Sequence, residues 1–276
     1  MFPFELQLQK EKKEYQKPIV MGILNLTTDS FYDGGKYLDS YIEQVAKMLQ
    51  EGATIIDVGA MSSKPGSPII TAEIEIQKLQ EPIRILKQSF PEAIFSVDTL
   101  NSETAAFCLD QGVDIINDIS ASAIDSKMIQ VIKNYPCTYI AMHMRGTPET
   151  MITLNQYDNM VEEILEYFKM KIAYLENEGV RQIIADVGFG FAKNIKQNFT
   201  LLKELNKFLV LHKPLLVGIS RKSMIYKTLS IKPEEALNGT TSLHMLALQN
   251  GASILRVHDV KEAIECIALF EAYKQA

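Results

Sequence analysis

The stretch EGATIID at residues 51–57 combines a helix end, a short apolar run and a carboxylate within seven positions. Glycine just past a helix supplies the left-handed conformation that ends it. The apolar residues that follow do not alternate with polar ones, which is typical of a parallel strand covered on both faces. This stretch therefore predicts one strand of a parallel α/β fold, with Asp57 near the carboxyl end of the strand.

The same order of a polar residue, glycine and a small residue recurs at residues 111–113, 178–180 and 250–252. The spacing of roughly 60–70 residues corresponds to about two strand–helix units. Apolar runs predict eight strands, at residues 18–24, 54–58, 94–97, 114–116, 138–142, 182–185, 214–217 and 253–257. Between them, apolar residues at helical spacing predict amphipathic helices.

Eight such units in a chain of 276 residues predict an α/β fold, a single-domain (β/α)8 TIM barrel. The barrel is expected to span residues 18–276, after an N-terminal extension at 1–17. A doubly wound open sheet is the alternative, but it favours a glycine-rich phosphate loop after its first strand. Residues 25–29, NLTTD, do not form such a loop.

The composition is that of an ordinary globular protein, with 47% hydrophobic and 22% charged residues. A net charge of −6 lacks the basic footprint of a general nucleic-acid binder. The sequence contains neither an apolar run of the roughly 20 residues that span a membrane nor a signal-peptide core. Three scattered cysteines suit a reducing compartment. We therefore expect a cytoplasmic protein without nucleic-acid or membrane partners.

Nearly every predicted strand ends in a polar group able to do chemistry. These groups are Asn25, Asp57, Asp98, Asn117, His143, Asp186, Ser220 with Arg221 and Lys222, and Arg256 with His258. The carboxyl ends of barrel strands face one mouth, which carries the active site in barrel enzymes. Arg256 and His258 lie two residues apart on one strand, so their side chains share a face and suit an anion. The sequence therefore predicts a functional mouth.

The acids and amides in this set also have structural interpretations. Asp57 would brace a loop or orient a neighbour, and Asp98 would cap the helix that follows it. Asn117 and Asp118 would form a turn, and His143 would be a satisfied barrel histidine. In the functional interpretation, carboxylates and amides at the mouth suit a flat heterocycle with adjacent N–H donors.

The cations have structural interpretations as well. Arg256 and His258 would be salt-bridge partners of Asp259 or another acid, and Lys222 would be exposed to solvent. The phenylalanines of residues 188–191 would pack in the core rather than form a wall for a flat ring. In the functional interpretation, the cations suit a phosphate or a pyrophosphate, since such sites often form after the last two strands of a barrel.

Motifs along residues 18 to about 270 resemble, in the same order, those of the dihydropteroate synthase family of the folate pathway. Two long signatures are MGILNLTTDSFYDGG at residues 21–35 and GATIIDVGAMSSKPG at residues 52–66. The shorter matches are SVDT at 96–99, INDI at 116–119, MHMRG at 142–146, GFGF at 188–191, GISRK at 218–222 and RVHDV at 256–260. The first signature, combined with the SRK and RVH motifs, is highly specific.

This resemblance implies a transferase, the target of sulfonamides. The reaction condenses 6-hydroxymethyl-7,8-dihydropterin pyrophosphate with p-aminobenzoate and gives 7,8-dihydropteroate and pyrophosphate. Pyrophosphate leaves before or as the amine attacks, which produces a cationic pterin methylene. The resemblance also implies a TIM barrel, a requirement for Mg2+ and a homodimer.

The resemblance further implies a role for each matching residue. The pterin ring would be held by Asp98, Asn117, Met142, Asp186 and Lys222. Pyrophosphate would be bound by Asn25, Ser63, Arg256 and His258, and Asn25 would also contact Mg2+. p-Aminobenzoate would be bordered by Ser63, Lys64, Pro65, Phe191, Ser220 and Lys222. The catalytic residues would be Asp98, Asn25 and Lys222, and Asp98 would place negative charge where positive charge develops.

The chain departs from the family pattern in three loops. It has TT at 27–28 for Thr-Pro, AMSSKP at 60–65 for Gly-Glu-Ser-Thr-Arg-Pro, and DVG at 186–188 for Asp-Pro-Gly. Lys64 keeps a positive charge but loses the planar fork of arginine. We expect unchanged chemistry with an altered affinity for p-aminobenzoate or sulfonamides. The alternatives are a methyltetrahydrofolate-dependent methyltransferase and a non-catalytic pterin-binding relative.

Overall fold

The computed structural model describes residues 3–26, 36–61 and 66–276. An antiparallel hairpin comes first, formed by β1 (Phe4–Gln7) and β2 (Lys12–Tyr15). Eight parallel strands then close into a barrel in chain order, because the last strand pairs with the first. These strands are β3 (Ile19–Asn25), β4 (Ile55–Gly59), β5 (Ile94–Asp98), β6 (Ile115–Asp118), β7 (Thr138–Met142), β8 (Ile183–Asp186), β9 (Leu215–Val217) and β10 (Ile254–Val257).

At least one helix follows every barrel strand, which confirms the predicted TIM barrel. The helices are α1 (Lys36–Gln50), α2 (Ala72–Ser89), α3 (Ser102–Asp110), α4 (Met128–Ile132), α5 (Met160–Asn177), α6 (Ile195–Lys203), α7 (Ser223–Leu229), α8 (Leu237–Gln249) and α9 (Val260–Gln275). Within the described ranges, no helix has both the length and the apolar character that crossing a membrane requires.

The glycines of the repeated sequence end their helices as predicted. Gly52, Gly112, Gly179 and Gly251 have φ of +103°, +84°, +96° and +98°. Side chains other than hydrogen rarely adopt this backbone conformation, so glycine is the residue that fits. The repeat in the sequence therefore marks four equivalent helix-to-strand turns.

Residues on the barrel strands alternate between an outer core and the barrel interior. Outward-facing residues such as Val20, Phe95 and Leu255 pack with the helices in one large cluster. Inward-facing aliphatic residues fill the end of the barrel that lies at the amino ends of the strands. Phe4, Leu6 and Leu8 of the hairpin segment join this inner cluster. Part of the predicted N-terminal extension thus closes one end of the barrel.

Leu6→Ala is expected to lower the free energy of unfolding by about 2–5 kcal/mol, because Leu6 is fully buried in the inner cluster. Urea denaturation would measure the loss. Glu5→Ala is the matched control, since the exposed Glu5 side chain points away from the barrel on the same strand. A Leu6→Ala variant as stable as the control would contradict a packing role for the hairpin.

The strand register brings the polar residues at the carboxyl ends to one level. Asn25 pairs with Gly59, and Gly59 pairs with Asp98. Asp98 in turn pairs with Asn117, and on the far side Met142 pairs with Asp186. The open end of the barrel is therefore lined by the side chains in which the sequence predicted a functional mouth.

Candidate active site

An arginine inside the barrel connects two carboxylates at the mouth. Arg256 Nε lies 2.6 Å from Asp57 Oδ2, and one of its terminal nitrogens lies 3.1 Å from Asp98 Oδ2. Arg256 therefore has acidic partners, as its structural interpretation holds, but they are Asp57 and Asp98 rather than Asp259. Asp259 instead receives two hydrogen bonds from Arg221, at 2.8 and 2.6 Å.

Asp57 also orients the amide of Asn117. Asn117 Nδ2 donates to Asp57 Oδ2 over 3.1 Å, in a fully buried position. Asn117 Oδ1 and Asp57 Oδ1 are buried and have no hydrogen-bond partner among the described residues. Buried acceptors normally have a partner, so these two atoms are suited to receive the N–H groups of a ligand. The interpretation of Asp57 as a residue that orients its neighbours is confirmed.

Asp98 has an unusual protonation equilibrium. Burial raises the pKa of Asp98 to about 7, the charge of Arg256 opposes the rise, and the nearby Asp57 carboxylate adds to it. The alternative of a helix cap is wrong, because α3 begins at Ser102 with Asn101 in the capping position. Asp98 is thus a buried acid whose negative charge depends on Arg256.

Asp186 and Lys222 face each other across the loop that follows β8. Asp186 Oδ1 accepts from the backbone N–H of Gly188 at 2.8 Å, and Lys222 Nζ donates to the Phe189 carbonyl. Burial lowers the pKa of Lys222 to about 8, and the charge of Asp186 opposes that shift. Lys222 is half-buried, so the alternative of a solvent-exposed lysine is wrong.

The two phenylalanines of this loop, Phe189 and Phe191, lie in different environments. Phe189 is fully buried in the outer core, as the packing alternative predicts. Phe191 lies at the mouth, in a small apolar cluster that includes Met142. Lys222 Nζ lies 4.8 Å from the centre of the Phe191 ring, a cation–π distance. Phe191 therefore remains available as a wall of the site.

Ser220 and His258 form a second pair at the mouth. Ser220 Oγ lies 3.0 Å from His258 Nδ1 and accepts from the backbone N–H of His258 at 3.2 Å. Burial lowers the pKa of His258 to about 4, and the charge of Arg256 lowers it further. These effects favour the neutral ring, and a neutral His258 can contact an anion as an N–H donor. Its role as a second cation stays a prediction.

The predicted loop residues Ser63, Lys64 and Pro65, and Thr28 of the first loop, lie outside the described residues. Asn25 is described and stands exposed at the end of β3. Within the described ranges, no group of three or more His, Cys, Asp or Glu side chains could hold a metal. Mg2+ commonly uses one or two protein oxygens together with substrate phosphates and water. An exposed Asn25 oxygen fits that kind of site.

His143 is a buried structural histidine, as its structural interpretation holds. Its Nδ1 lies 3.1 Å from the Nζ atom of Lys193, which is also buried. Lys193 carried no signal in the sequence beyond its place two residues after the GFGF motif. Its importance depends on backbone carbonyls that converge on it only in the folded loop.

A closed parallel barrel with buried acids, an oriented amide and cations at one mouth defines a TIM-barrel enzyme for a polar small molecule. Residues 21–258 match the family model described as pterin binding enzyme. The chain belongs to this family, and within it to the dihydropteroate synthases.

The similar proteins extend over nearly the whole chain. A bifunctional dihydropteroate synthase/dihydropteroate reductase of Helicobacter pylori is 41% identical, over 99% of this chain and 74% of its own length. The dihydropteroate synthase of Escherichia coli K12 is 39% identical, over 97% of this chain and 96% of its own. The solved structure of Yersinia pestis dihydropteroate synthase, in complex with a sulfonamide drug, superposes with a TM-score of 0.91. It is 33% identical and covers 99% of this chain and 100% of its own.

Proposed function

We propose that this chain condenses 6-hydroxymethyl-7,8-dihydropterin pyrophosphate with p-aminobenzoate to give 7,8-dihydropteroate and pyrophosphate. The observation that carries the proposal is the buried arrangement of Asp98, Asn117 and Asp186 around Arg256. It offers acceptors to a heterocycle with several N–H donors and a cation beside them. The relatives described above carry the name of this activity.

The pterin would lie against the carboxyl ends of β5, β6 and β8. Asn117 Nδ2 is bound to Asp57, and Asn117 Oδ1 has no hydrogen-bond partner in the described part of the chain, so Oδ1 would accept from one pterin N–H. The Asp186 carboxylate would accept from others, and Met142 would contact the ring from the apolar cluster. This assignment leaves Lys222 between the pterin and p-aminobenzoate, with Ser220 and Phe191 beside the latter.

The reaction requires charge stabilisation more than a strong base. When the bond between the pterin methylene and pyrophosphate breaks, positive charge develops on the pterin. A fixed carboxylate at Asp98 would stabilise that charge more strongly in the transition state than in the substrate. The arylamine of p-aminobenzoate then attacks the methylene carbon and loses a proton to solvent, which completes the product.

Arg256 would have two tasks in this scheme. It favours the ionised form of Asp98, since its charge opposes the rise in the pKa of Asp98 that burial causes. Its guanidinium has five donors, and only part of them are used by Asp57 and Asp98. The remaining donors, with a neutral N–H of His258, would bind pyrophosphate.

We propose Asn25 as a protein ligand of Mg2+, with the other ligands coming from pyrophosphate and water. Bound there, Mg2+ would offset the negative charge on the departing pyrophosphate. Ser63, Lys64 and Pro65 stay predictions from the resemblance, as residues that border p-aminobenzoate.

Pyrophosphate release from the pterin substrate tests the proposed function. We expect release that depends on Mg2+ and on p-aminobenzoate, with dihydropteroate formed in equal amount. A methyltransferase would release no pyrophosphate and would consume methyltetrahydrofolate. A pterin-binding relative without activity would bind the pterin but release nothing, and either result would overturn the proposal.

The activity is expected to depend on the protonation of Asp98. Because the pKa of Asp98 is about 7 and the carboxylate is the active form, kcat/KM for the pterin pyrophosphate should rise with pH up to about 7 and then level off. The Asp98→Asn variant is the control, since it retains the titration of the substrate but not that of Asp98. Profiles of identical shape for the two proteins would contradict this assignment.

We propose a homodimer, supported by exposed apolar side chains on two adjacent helices. Leu246 on α8 and Leu269 and Tyr273 on α9 are 46%, 66% and 70% exposed. Leu269 and Tyr273 lie four residues apart on one face of their helix. Leu269→Glu is expected to shift sedimentation from dimer to monomer, whereas Met170→Glu on α5, equally exposed, should not. A monomeric wild-type chain would contradict the proposal.

The three cysteines support a reducing compartment such as the cytoplasm. Cys108, Cys137 and Cys266 are all unpaired and buried.

A further inference from the structure

Lys193 is a buried cation that has no role in the proposed mechanism. It lies between β8 and α6, and its side chain is directed into the loop of residues 188–191. Its Nζ donates to the carbonyl oxygens of Gly188 at 2.9 Å and Phe191 at 3.0 Å. It also lies 3.1 Å from His143 Nδ1. The three N–H groups of the ammonium therefore have three acceptors.

The backbone conformation of this loop requires a hydrogen-bond donor at its centre. Gly188, Gly190 and Ala192 have φ of +72°, +81° and +48°, so three left-handed residues fall within five positions. This curled path turns carbonyl oxygens inward, where they need a donor. The loop also passes so close to β7 that a Cβ on Gly188 would lie 2.1 Å from the His143 carbonyl oxygen. The loop therefore has little freedom to find other partners.

The same loop forms much of the candidate site. The Gly188 N–H donates to Asp186, and the Phe189 carbonyl accepts from Lys222. The Phe191 ring lies beneath the Lys222 ammonium. A shift of this loop would therefore move an acceptor, a cation and an apolar wall of the site together.

We propose that Lys193 is a positioning residue, whose ammonium holds residues 188–191 in the conformation that presents Asp186, Lys222 and Phe191 to the pterin. His143 is part of the same unit, because its Nδ1 accepts from Lys193 when the amine is protonated, which places the ring proton on Nε2. The identity of the ligand rests on the proposed function; the hydrogen bonds within the loop do not.

The pKa shifts of Lys193 and His143 agree with this positioning role. Burial lowers the pKa of Lys193 to about 7, and the charge of Asp186 opposes the shift, while those of Lys222 and Arg145 add to it. Burial lowers the pKa of His143 as well, so the ring is neutral and able to accept. An apolar residue would avoid the desolvation of a buried cation but would leave three acceptors without a donor.

The test compares Lys193→Met with Lys196→Met, an exposed lysine on α6 that serves as matched control. Titration calorimetry with 6-hydroxymethylpterin should show binding weakened roughly tenfold or more in Lys193→Met and unchanged in Lys196→Met. The KM for the pterin pyrophosphate should rise in parallel. Lys193→Arg, which keeps a charged donor, should recover part of the loss. Unchanged pterin binding in a folded Lys193→Met variant would overturn the proposal.

A second measurement uses the wild-type protein, so it requires neither catalysis nor a folded variant. The chain has four histidines, so 15N NMR of histidine-labelled protein can assign each tautomer. In the wild-type protein below pH 7, where the Lys193 amine is protonated, His143 should show a proton on Nε2 and an Nδ1 that accepts a hydrogen bond. A proton on Nδ1 would overturn the proposal even if the enzyme makes dihydropteroate. An inactive enzyme that shows the expected tautomer and the Lys193-dependent pterin binding would instead count against the proposed function alone.

Discussion

Asp98→Asn is expected to lower kcat roughly 100- to 1,000-fold while weakening the binding of free 6-hydroxymethylpterin less than about tenfold. Asparagine keeps the size of the side chain and its hydrogen bonding with Arg256 in part, so the pocket retains its shape. What it removes is a fixed negative charge beside the methylene that becomes cationic. A group that acts mainly on the transition state affects turnover more than ground-state binding.

The comparison requires steady-state kinetics and calorimetry on the same preparations. Glu103→Gln is a matched control, because it neutralises an exposed acid on α3, the helix that follows β5. The control should leave both quantities unchanged. Equal losses in turnover and in pterin affinity for Asp98→Asn would show that Asp98 only binds.

Arg256→Ala is expected to raise the KM for the pterin pyrophosphate by roughly 100-fold or more and to affect free pterin much less. Removal of one partner from a buried ion pair commonly destabilises a protein by about 3–5 kcal/mol, because the other charge remains without a partner. Here two carboxylates lose their partner, Asp57 at 2.6 Å and Asp98 at 3.1 Å. Without the opposing charge of Arg256, the pKa of Asp98 should rise further, which would also reduce turnover at pH 7.

Competition binding with free pterin and with pyrophosphate separates the two roles of Arg256. Arg181→Ala is the control, since Arg181 is exposed and precedes β8 at the opposite end of the barrel. Thermal unfolding of both variants would confirm that each is folded at the assay temperature. A uniform loss for free pterin and for the pyrophosphate substrate would remove Arg256 from the phosphate role.

Local sequence patterns were sufficient to predict the barrel and the level of its mouth. The apolar run at residues 138–142 is β7 itself, and the polar residues Asn25, Asp98 and Asp186 end their strands. Strand period and helix-ending glycines are properties of short segments, so they can be read without knowledge of the fold. The hairpin was missed although Phe4, Leu6 and Leu8 alternate with polar residues, because their burial depends on the open amino end of a barrel formed later in the chain.

The partners of the site residues could not be predicted in the same way. Arg256 and Asp57 are 199 positions apart, and only barrel closure through β3 and β10 brings them within 2.6 Å. The lowered pKa of His258 follows from burial, which the RVH motif does not show, and from the charge of Arg256, which the motif itself contains. Lys193 was missed for a similar reason, because its acceptors are backbone carbonyls.

Positional isotope exchange shows whether the mouth separates pyrophosphate from the pterin methylene and holds the resulting cation. The pterin pyrophosphate is prepared with 18O in the bridge between the methylene and the first phosphorus, and is incubated with enzyme and Mg2+ but without p-aminobenzoate. Recovered substrate is expected to carry 18O in non-bridging positions, with exchange strongly reduced in Asp98→Asn. Label that stays in the bridge, in an enzyme that turns over when p-aminobenzoate is added, would contradict this mechanism.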